Sequence, residues 1–366
     1  CNDWQTGLAP AYLKLAPGSQ RPLTGIPAAA PADPQAVARS VFTIHNLAYA
    51  GLFEPAVSDS LALPTTGFDM HGYEFHGRVG FLKAGLFYAD WLTTVSPSYA
   101  REIQQPSSGH GLDGLLSARA DRLVGILNGI DDELWNPATD PALTRPFDGE
   151  SLDAKLDNKL ALLQAVGLDH RPGCPLAVVV SRLTTQKGLD LLIPALGMLE
   201  GRELQLIVLG TGEAAIERGL SGLQAMAPER FRFIRRYDEQ LAHQMEAGAD
   251  LFLMPSRFEP CGLNQMYSMR YGTPPLVHRT GGLADTVVDA NPDTLAAGTA
   301  TGFVFERPDP VSLSEALCRA LDLFPDRTQW RALQRAGMSR DFSWQHSAQQ
   351  YRALYQHLLS VDDRVD

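Results

Sequence analysis

Short apolar runs recur along the chain, and between them apolar residues return every three or four positions. Ser40-Val41-Phe42-Thr43-Ile44-His45, Trp91-Leu92-Thr93-Thr94-Val95-Ser96 and Leu123-Val124-Gly125-Ile126-Leu127-Asn128 predict buried strands. A helical pattern over about 79–89 separates the first two. After Pro146-Phe147-Asp148 the alternation begins again. Strands are predicted at 176–180, 204–209, 231–234, 251–254 and 275–278, with helices near 188–199, 212–220, 239–247 and 262–271. At the end, Ser343 fits a helix cap, and Ala348, Tyr351, Leu354, Tyr355 and Leu358 recur at helical spacing as one apolar face. Residues 14–39 break the rhythm: Pro17, Pro22, Pro27, Pro31 and Pro34 among Ala and Gly predict an extended surface loop.

Strands alternating with helices predict an α/β protein with parallel sheets. Two such series predict two facing Rossmann-like domains, with the ligand beyond the carboxyl ends of the strands, in a cleft between them. The expected division is a partial first domain over 1–150, a second over 151–340, and a terminal helix over 341–366 packing back on the first. The 366 residues suffice for two ordinary cores. A net charge of −11 argues against a nucleic-acid partner but leaves room for a local cationic pocket. No apolar run approaches the ~18 residues of a membrane span, so no membrane partner is expected. Cys1, Cys174, Cys261 and Cys318 are far apart, fit a reducing cytoplasm and make no metal-type pair. The histidines, among them His71, His76 and His110, lack ligand spacing, so no metal or other cofactor is expected. The chain opens at Cys1 without a leader, reads like the middle of a domain, and is expected to be a fragment lacking its N-terminus.

Four segments could carry chemistry. Ser181-Arg182-Leu183-Thr184-Thr185-Gln186-Lys187-Gly188 joins a strand to a helix, so Arg182 and Lys187 stand where a diphosphate could bind, or form a plain solvated basic loop. In Leu209-Gly210-Thr211-Gly212-Glu213, Gly210 and Gly212 could admit a nucleotide or form an ordinary turn. Pro255-Ser256-Arg257-Phe258-Glu259-Pro260-Cys261-Gly262-Leu263-Asn264 sets Glu259 in a loop before a helix expected to start at Gly262 and Leu263. That carboxylate could hold sugar hydroxyls or stabilise developing positive charge, or merely cap the helix. Cys261 reads better as a small buried thiol than as a nucleophile. Arg279-Thr280-Gly281-Gly282-Leu283-Ala284-Asp285 could turn backbone N–H groups toward an anion or sugar, or simply start a helix. In the first half, His45-Asn46 and Asn128-Gly129 end strands at the ligand side, and Asp3 has the same look. A core histidine and a solvated N-terminal acid are the plain alternatives for His45 and Asp3.

Together these segments resemble the bacterial glycogen synthase and plant starch synthase family. The likeness runs through Asn2-Asp3-Trp4-Gln5, Phe42–Tyr49, Phe81-Leu82-Lys83-Ala84-Gly85-Leu86, Thr94-Val95-Ser96-Pro97 and Asn128-Gly129-Ile130-Asp131. It continues through the 182–187 loop, the Glu259 segment, Thr280-Gly281-Gly282-Leu283 and Asp341-Phe342-Ser343-Trp344, covering nearly all the chain except 14–39. The resemblance implies a retaining glycosyltransferase of GT-B fold that moves glucose from ADP-glucose to the non-reducing end of an α-1,4-glucan. It implies that Arg182 and Lys187 hold the donor diphosphate, and that Glu259 assists at the donor glucose. His45 would line the reacting sugar, Asp3 would contact it or the acceptor, and Cys261, Gly262, Leu263, Thr280, Gly281, Gly282, Leu283, Gly210 and Asn128 would shape the donor pocket. Two features depart from the family pattern: its N-terminal Lys-x-Gly-Gly-Leu loop is absent, and Arg236 stands where Gly is expected before Tyr237-Asp238-Glu239. Tyr267 stands where the broader GT-B pattern has a second Glu, as the resemblance implies for this branch. The alternatives are a related transferase using UDP-glucose, or an inactive glucan-binding fragment.

Overall fold

The computed structural model describes residues 1–15, 38–199 and 201–360. The five prolines of the expected extended loop lie outside the described residues. The chain divides into two compact units, one of Cys1–Leu127 with Gln349–Asp366 and the other of Asn128–Ala348.

The first unit contains β1 (Val41–Ile44), β2 (Leu52–Phe53), β3 (Glu74–Phe75), β4 (Arg78–Gly80), β5 (Trp91–Thr94) and β6 (Leu123–Gly125). β1, β5 and β6 form a parallel sheet in the order β1-β5-β6. The helix Phe81–Tyr88 falls within the predicted span. The antiparallel sheet β2-β4-β3 was not foreseen, because strands of two or three residues carry no periodicity. In the terminal helix, Leu354 and Leu358 are buried against Ile126, with Val41, Trp91 and Tyr351 packed around them. Ala348 and Tyr355 are exposed, so the apolar face is narrower than its spacing predicts.

The second unit contains β7 (Leu176–Val180), β8 (Gln205–Leu209), β9 (Phe231–Ile234), β10 (Leu251–Met254), β11 (Pro275–His278) and β12 (Phe303–Phe305), all parallel. Their order is β12-β11-β10-β7-β8-β9. β7, β10 and β11 are apolar and almost wholly buried, as a sheet covered on both faces requires. The strand order reverses between β7 and β10. In open parallel sheets, ligands bind beyond the carboxyl ends of the strands at such a reversal. The loops leaving β7 and β10 are those of Arg182 with Lys187 and of Glu259.

These two loops are spliced together. The Arg257 N–H donates to Gln186 O at 2.8 Å, and its guanidinium donates to Thr185 O and, through two nitrogens, to the Asp190 carboxylate, each at 2.7 Å. Gly188 sits at φ +70°, and a Cβ there would lie 1.9 Å from Pro255 O. Only glycine meets both the backbone conformation and the close approach. Gly188→Ala is therefore expected to lower unfolding free energy by about 2–4 kcal/mol, read as a reduced urea midpoint at unchanged m-value. An unchanged midpoint would show that the loops can separate at no cost.

Candidate functional site

Glu259 is the centre of the second unit's loop cluster. Its side chain is 8% exposed, and its Oε2 accepts from Lys187 Nζ at 2.5 Å and from Ser256 Oγ at 3.0 Å. Ser256 is in turn held by the His278 ring at the end of β11, whose Nδ1 lies 2.9 Å from Ser256 O. Asn264 donates to Val180 O at 2.8 Å and ties the next helix to the end of β7. Around these groups is a cavity of about 190 Å³, lined among others by Arg182, Lys187, Ser256, Glu259, Gly262 and Leu263. Arg182 is exposed and makes no side-chain ion pair among the described residues. The cavity thus pairs a shielded carboxylate with two cations, one committed to it and one available. Such a site can take an anionic leaving group and stabilise positive charge next to it.

A second cavity of about 310 Å³ adjoins the first and shares Val180, Ser181, Arg182 and Asn264 with it. Gly210, Trp135, Tyr267, Glu246 and the Arg236–Glu239 segment line it. Its aromatic wall is built from below. Asp140, buried, accepts from Tyr271 Oη at 2.5 Å and lies 2.7 Å from His243 Nδ1. The His243 ring stacks on Trp135 at 3.8 Å, and Trp135 stacks on Tyr267 at 3.9 Å. Burial, reinforced by Asp140, pushes the Tyr271 hydroxyl far above its ordinary pKa, so it stays a donor. Arg236, where the family pattern led us to expect glycine, is paired with Asp238 at 2.8 Å.

Several expected groups are engaged by neighbouring protein groups. The Gly212 N–H donates to Glu217 Oε1 at 3.0 Å, and the Gly210 N–H to Ile234 O at 3.1 Å, so neither is open to a phosphate. The Gly282 N–H donates to Glu259 O at 3.1 Å, so Gly282 shapes the Glu259 loop from behind. Thr280, Gly281, Gly282, Leu283, Asn128 and Cys261 line neither cavity. Gly262 and Leu263 do line the smaller one, but they do not start the helix. Gly262 turns the chain at φ +70° and the helix runs Asn264–Arg270, too short to focus a dipole on the site. Trp135, His243, Glu246 and Tyr271 were missed, because their partners lie far apart in sequence. The one available signal was an isolated tryptophan shortly after Asn128-Gly129.

Cys261 is buried, and burial pushes its thiol up to about 12. At pH 8 only on the order of one thiol in ten thousand would be ionised. Iodoacetamide should therefore label Cys261 at least a hundredfold more slowly in the native than in the urea-unfolded protein. Equal rates, followed by peptide mass spectrometry, would restore a nucleophilic reading.

In the first unit, Asp3 and His45 are brought together at the carboxyl end of β1. Asp3 runs beside β1, its N–H donating to Thr43 O at 2.9 Å, and its Oδ1 accepts from the His45 N–H at 2.7 Å. The His45 Nε2 lies 2.9 Å from Asn2 Oδ1. Asp3 adopts φ +51°, a costly conformation for a residue with a Cβ, and one found where geometry serves a function.

The family model described as "Starch synthase catalytic domain" matches residues 1–118, and that described as "Glycosyl transferases group 1" matches 167–335. Among curated proteins, the glycogen synthase of Nitrosomonas eutropha is 48% identical over 359 residues, covering 98% of this chain and 68% of that protein. Glycogen synthase 1 of Methylococcus capsulatus is 50% identical over 360 residues, covering 98% and 69%. Among solved structures, the catalytic domain of starch synthase IV from Arabidopsis thaliana, bound to ADP and acarbose, superposes with a TM-score of 0.86 at 36% identity, covering 99% of this chain and 72% of that one. Sucrose-phosphate synthase from Thermosynechococcus elongatus shares the fold, with a TM-score of 0.60 at 21% identity over 99% of this chain and 73% of that one. With about half of its residues shared along nearly its whole length, and a GT-B fold in common with starch synthase, the chain belongs to the glycogen synthase and starch synthase family of retaining glycosyltransferases.

Proposed function

We propose that the protein transfers glucose from ADP-glucose to the non-reducing end of an α-1,4-glucan with retention of configuration. The observation that carries this reading is the Lys187–Glu259 pair at the strand-order reversal, with Arg182 uncommitted beside it. Departure of a nucleoside diphosphate leaves negative charge on phosphate and positive charge at the sugar carbon. Arg182 and Lys187 answer the first, and the Glu259 carboxylate answers the second. The adjoining aromatic cavity takes the base, and Leu263 and Gly262 border the sugar. His45 and Asp3, fixed to one another in the first unit, serve the reacting sugar and the acceptor. The proposed domain roles are acceptor side for 1–150 and donor side for 151–340, with 341–366 docking on the former; in the structure the chain passes from one unit to the other after Leu127 and returns after Ala348. Support for ADP as the nucleotide comes from the starch synthase bound to ADP and acarbose. Cytoplasmic glycogen synthesis is the setting that fits these relatives.

The test is glucosyl transfer to glycogen from ADP-glucose and, in parallel, from UDP-glucose. Transfer with ADP-glucose preferred supports the reading. A preference for UDP-glucose would move the assignment to the related transferase, and no transfer from either donor by folded protein would leave a glucan-binding remnant.

A further inference from the structure

Among the described residues, four acidic residues are buried: Asp140, Glu217, Glu246 and Glu259. Three are fully explained by their partners. Asp140 holds Tyr271 and His243, Glu217 holds Gly212 N and Arg235, and Glu259 holds Lys187 and Ser256. Glu246 is the exception. It is 2% exposed, and its Oε2 has no hydrogen-bond partner. A buried polar atom left without a partner costs about 1–3 kcal/mol. Lys155, whose charge acts on Glu246, does not relieve it. Lys155 Nζ is spent on Ala247 O at 2.7 Å, Tyr271 O at 2.9 Å and Thr273 Oγ1 at 2.8 Å, and makes no ion pair with Glu246. Yet Glu246 lines the larger cavity, together with the ring of Tyr267 and its stacking partner Trp135. A flat heteroaromatic ring lodged there would lie against the face of Tyr267 that Trp135 leaves open, with the edge of the ring toward the Glu246 carboxyl group in the cavity wall.

We propose that Glu246 reads the edge of the donor's nucleobase, giving one hydrogen bond to a ring nitrogen and accepting one from the exocyclic amine beside it. The proposal rests on the donor-site reading above and names a specificity residue within it. Its chemistry requires a carboxyl group that both gives and accepts. Burial raises the pKa of Glu246 well above the ordinary carboxylate range, and Lys155 lowers it only in part, which favours the protonated form over the ionised one. Neutral, it offers O–H and C=O side by side, the complement of an amine next to an unprotonated ring nitrogen. Ionised, it would accept only and would face the ring nitrogen's lone pair. The acid belongs to the helix Glu239–Gly248, whose partner helix Lys155–Val166 supplies Lys155, so the reading edge is set by rigid elements rather than by a loop.

The experiment is titration calorimetry on the full-length protein with three ligands: ADP, its analogue lacking the 6-amino group, and inorganic pyrophosphate. The parent should bind ADP about tenfold more tightly than the deamino analogue. Glu246→Met should raise the Kd for ADP about tenfold, lose the preference between the two nucleotides, and hold pyrophosphate within twofold. Glu246→Gln, which keeps a donor and an acceptor, should bring ADP back to within about threefold of the parent; a merely structural role would show no such rescue. Equal binding of both nucleotides by the parent overturns the proposal without any variant, so a Met variant that fails to fold leaves it decidable. Equal ADP affinity in the parent and Glu246→Met overturns it too. A parent that binds pyrophosphate but no ADP overturns the donor reading itself, and this proposal with it.

Discussion

Glu259→Ala in the full-length protein should lower kcat for glucosyl transfer by a factor on the order of 10² to 10³ or more, while its affinity for ADP is held or increased. The two halves of this expectation come from one contact. The Glu259 carboxylate takes Lys187 Nζ at 2.5 Å, with side-chain exposures of 8% and 19%. Each charge is shielded from water by the other and by the loops around them. A diphosphate entering the site competes with Glu259 for Lys187. Removing the carboxylate frees that cation and removes a negative charge next to the phosphates, so product binding does not suffer. Positive charge developing on the sugar carbon in the transition state then loses its stabilising partner, which is a loss in kcat and not in KM. Ser256, held by His278, keeps the loop geometry in the variant, so the fold should survive. The check is steady-state kinetics with ADP-glucose and glycogen beside ADP calorimetry. Normal turnover by folded Glu259→Ala protein would remove Glu259 from the chemistry. A large rise in the Kd for ADP with kcat intact would recast it as a binding residue.

The strands that carry this site were legible because they are buried on both faces. Runs such as Leu176–Val180 and Leu251–Met254 are apolar throughout, so their bounds follow from composition alone. Three-residue β12 and the strands of two or three residues in the antiparallel sheet offered no such run. The charged half of the site was legible for a similar reason. Arg182, Lys187 and Glu259 sit in loops directly after two readable strands, and the topology brings those loops together. The aromatic half was not. Asp140, His243 and Tyr271 meet across separations of 103 and 131 positions, and no local pattern announces such a contact. Glu246 reads in sequence as one more acid on an amphipathic helix; its burial comes from tertiary packing, to which the helix Lys155–Val166 contributes. The glycines show a third limit. A glycine-rich loop signals that something approaches the backbone closely, but not what. At Gly212, Gly281 and Gly282 the approaching group is the protein's own backbone, at distances a Cβ would not permit. What the motifs that contain them do signal is the family.

Lys187→Ala should impair use of the donor far more than binding of the glucan. Lys187 is the last residue of a 3-10 turn, Thr185–Lys187, and Gly188 at φ +70° then redirects the chain into the helix Leu189–Gly197. Its position is therefore set by backbone as much as by Glu259. A charge-assisted contact to phosphate is worth about 1.5–3 kcal/mol, so KM for ADP-glucose should rise by about 10- to 100-fold. Part of the effect should appear in kcat, since the same ammonium answers charge that grows on the departing diphosphate. Loss of the cation also strands the Glu259 carboxylate in a shielded pocket with only Ser256 as donor. An unpaired acid there repels the incoming phosphates and adds to the donor defect. Lys187→Met, which keeps the stem's packing, separates that packing from the charge and should show nearly the same donor defect. Neither variant touches His45 or Asp3, which are fixed to one another at β1. Co-sedimentation with glycogen should accordingly stay within twofold of the parent. Donor kinetics equal to the parent's would refute the phosphate role for Lys187, and a parallel loss of glycogen binding would show that the substitution had disturbed more than the donor site.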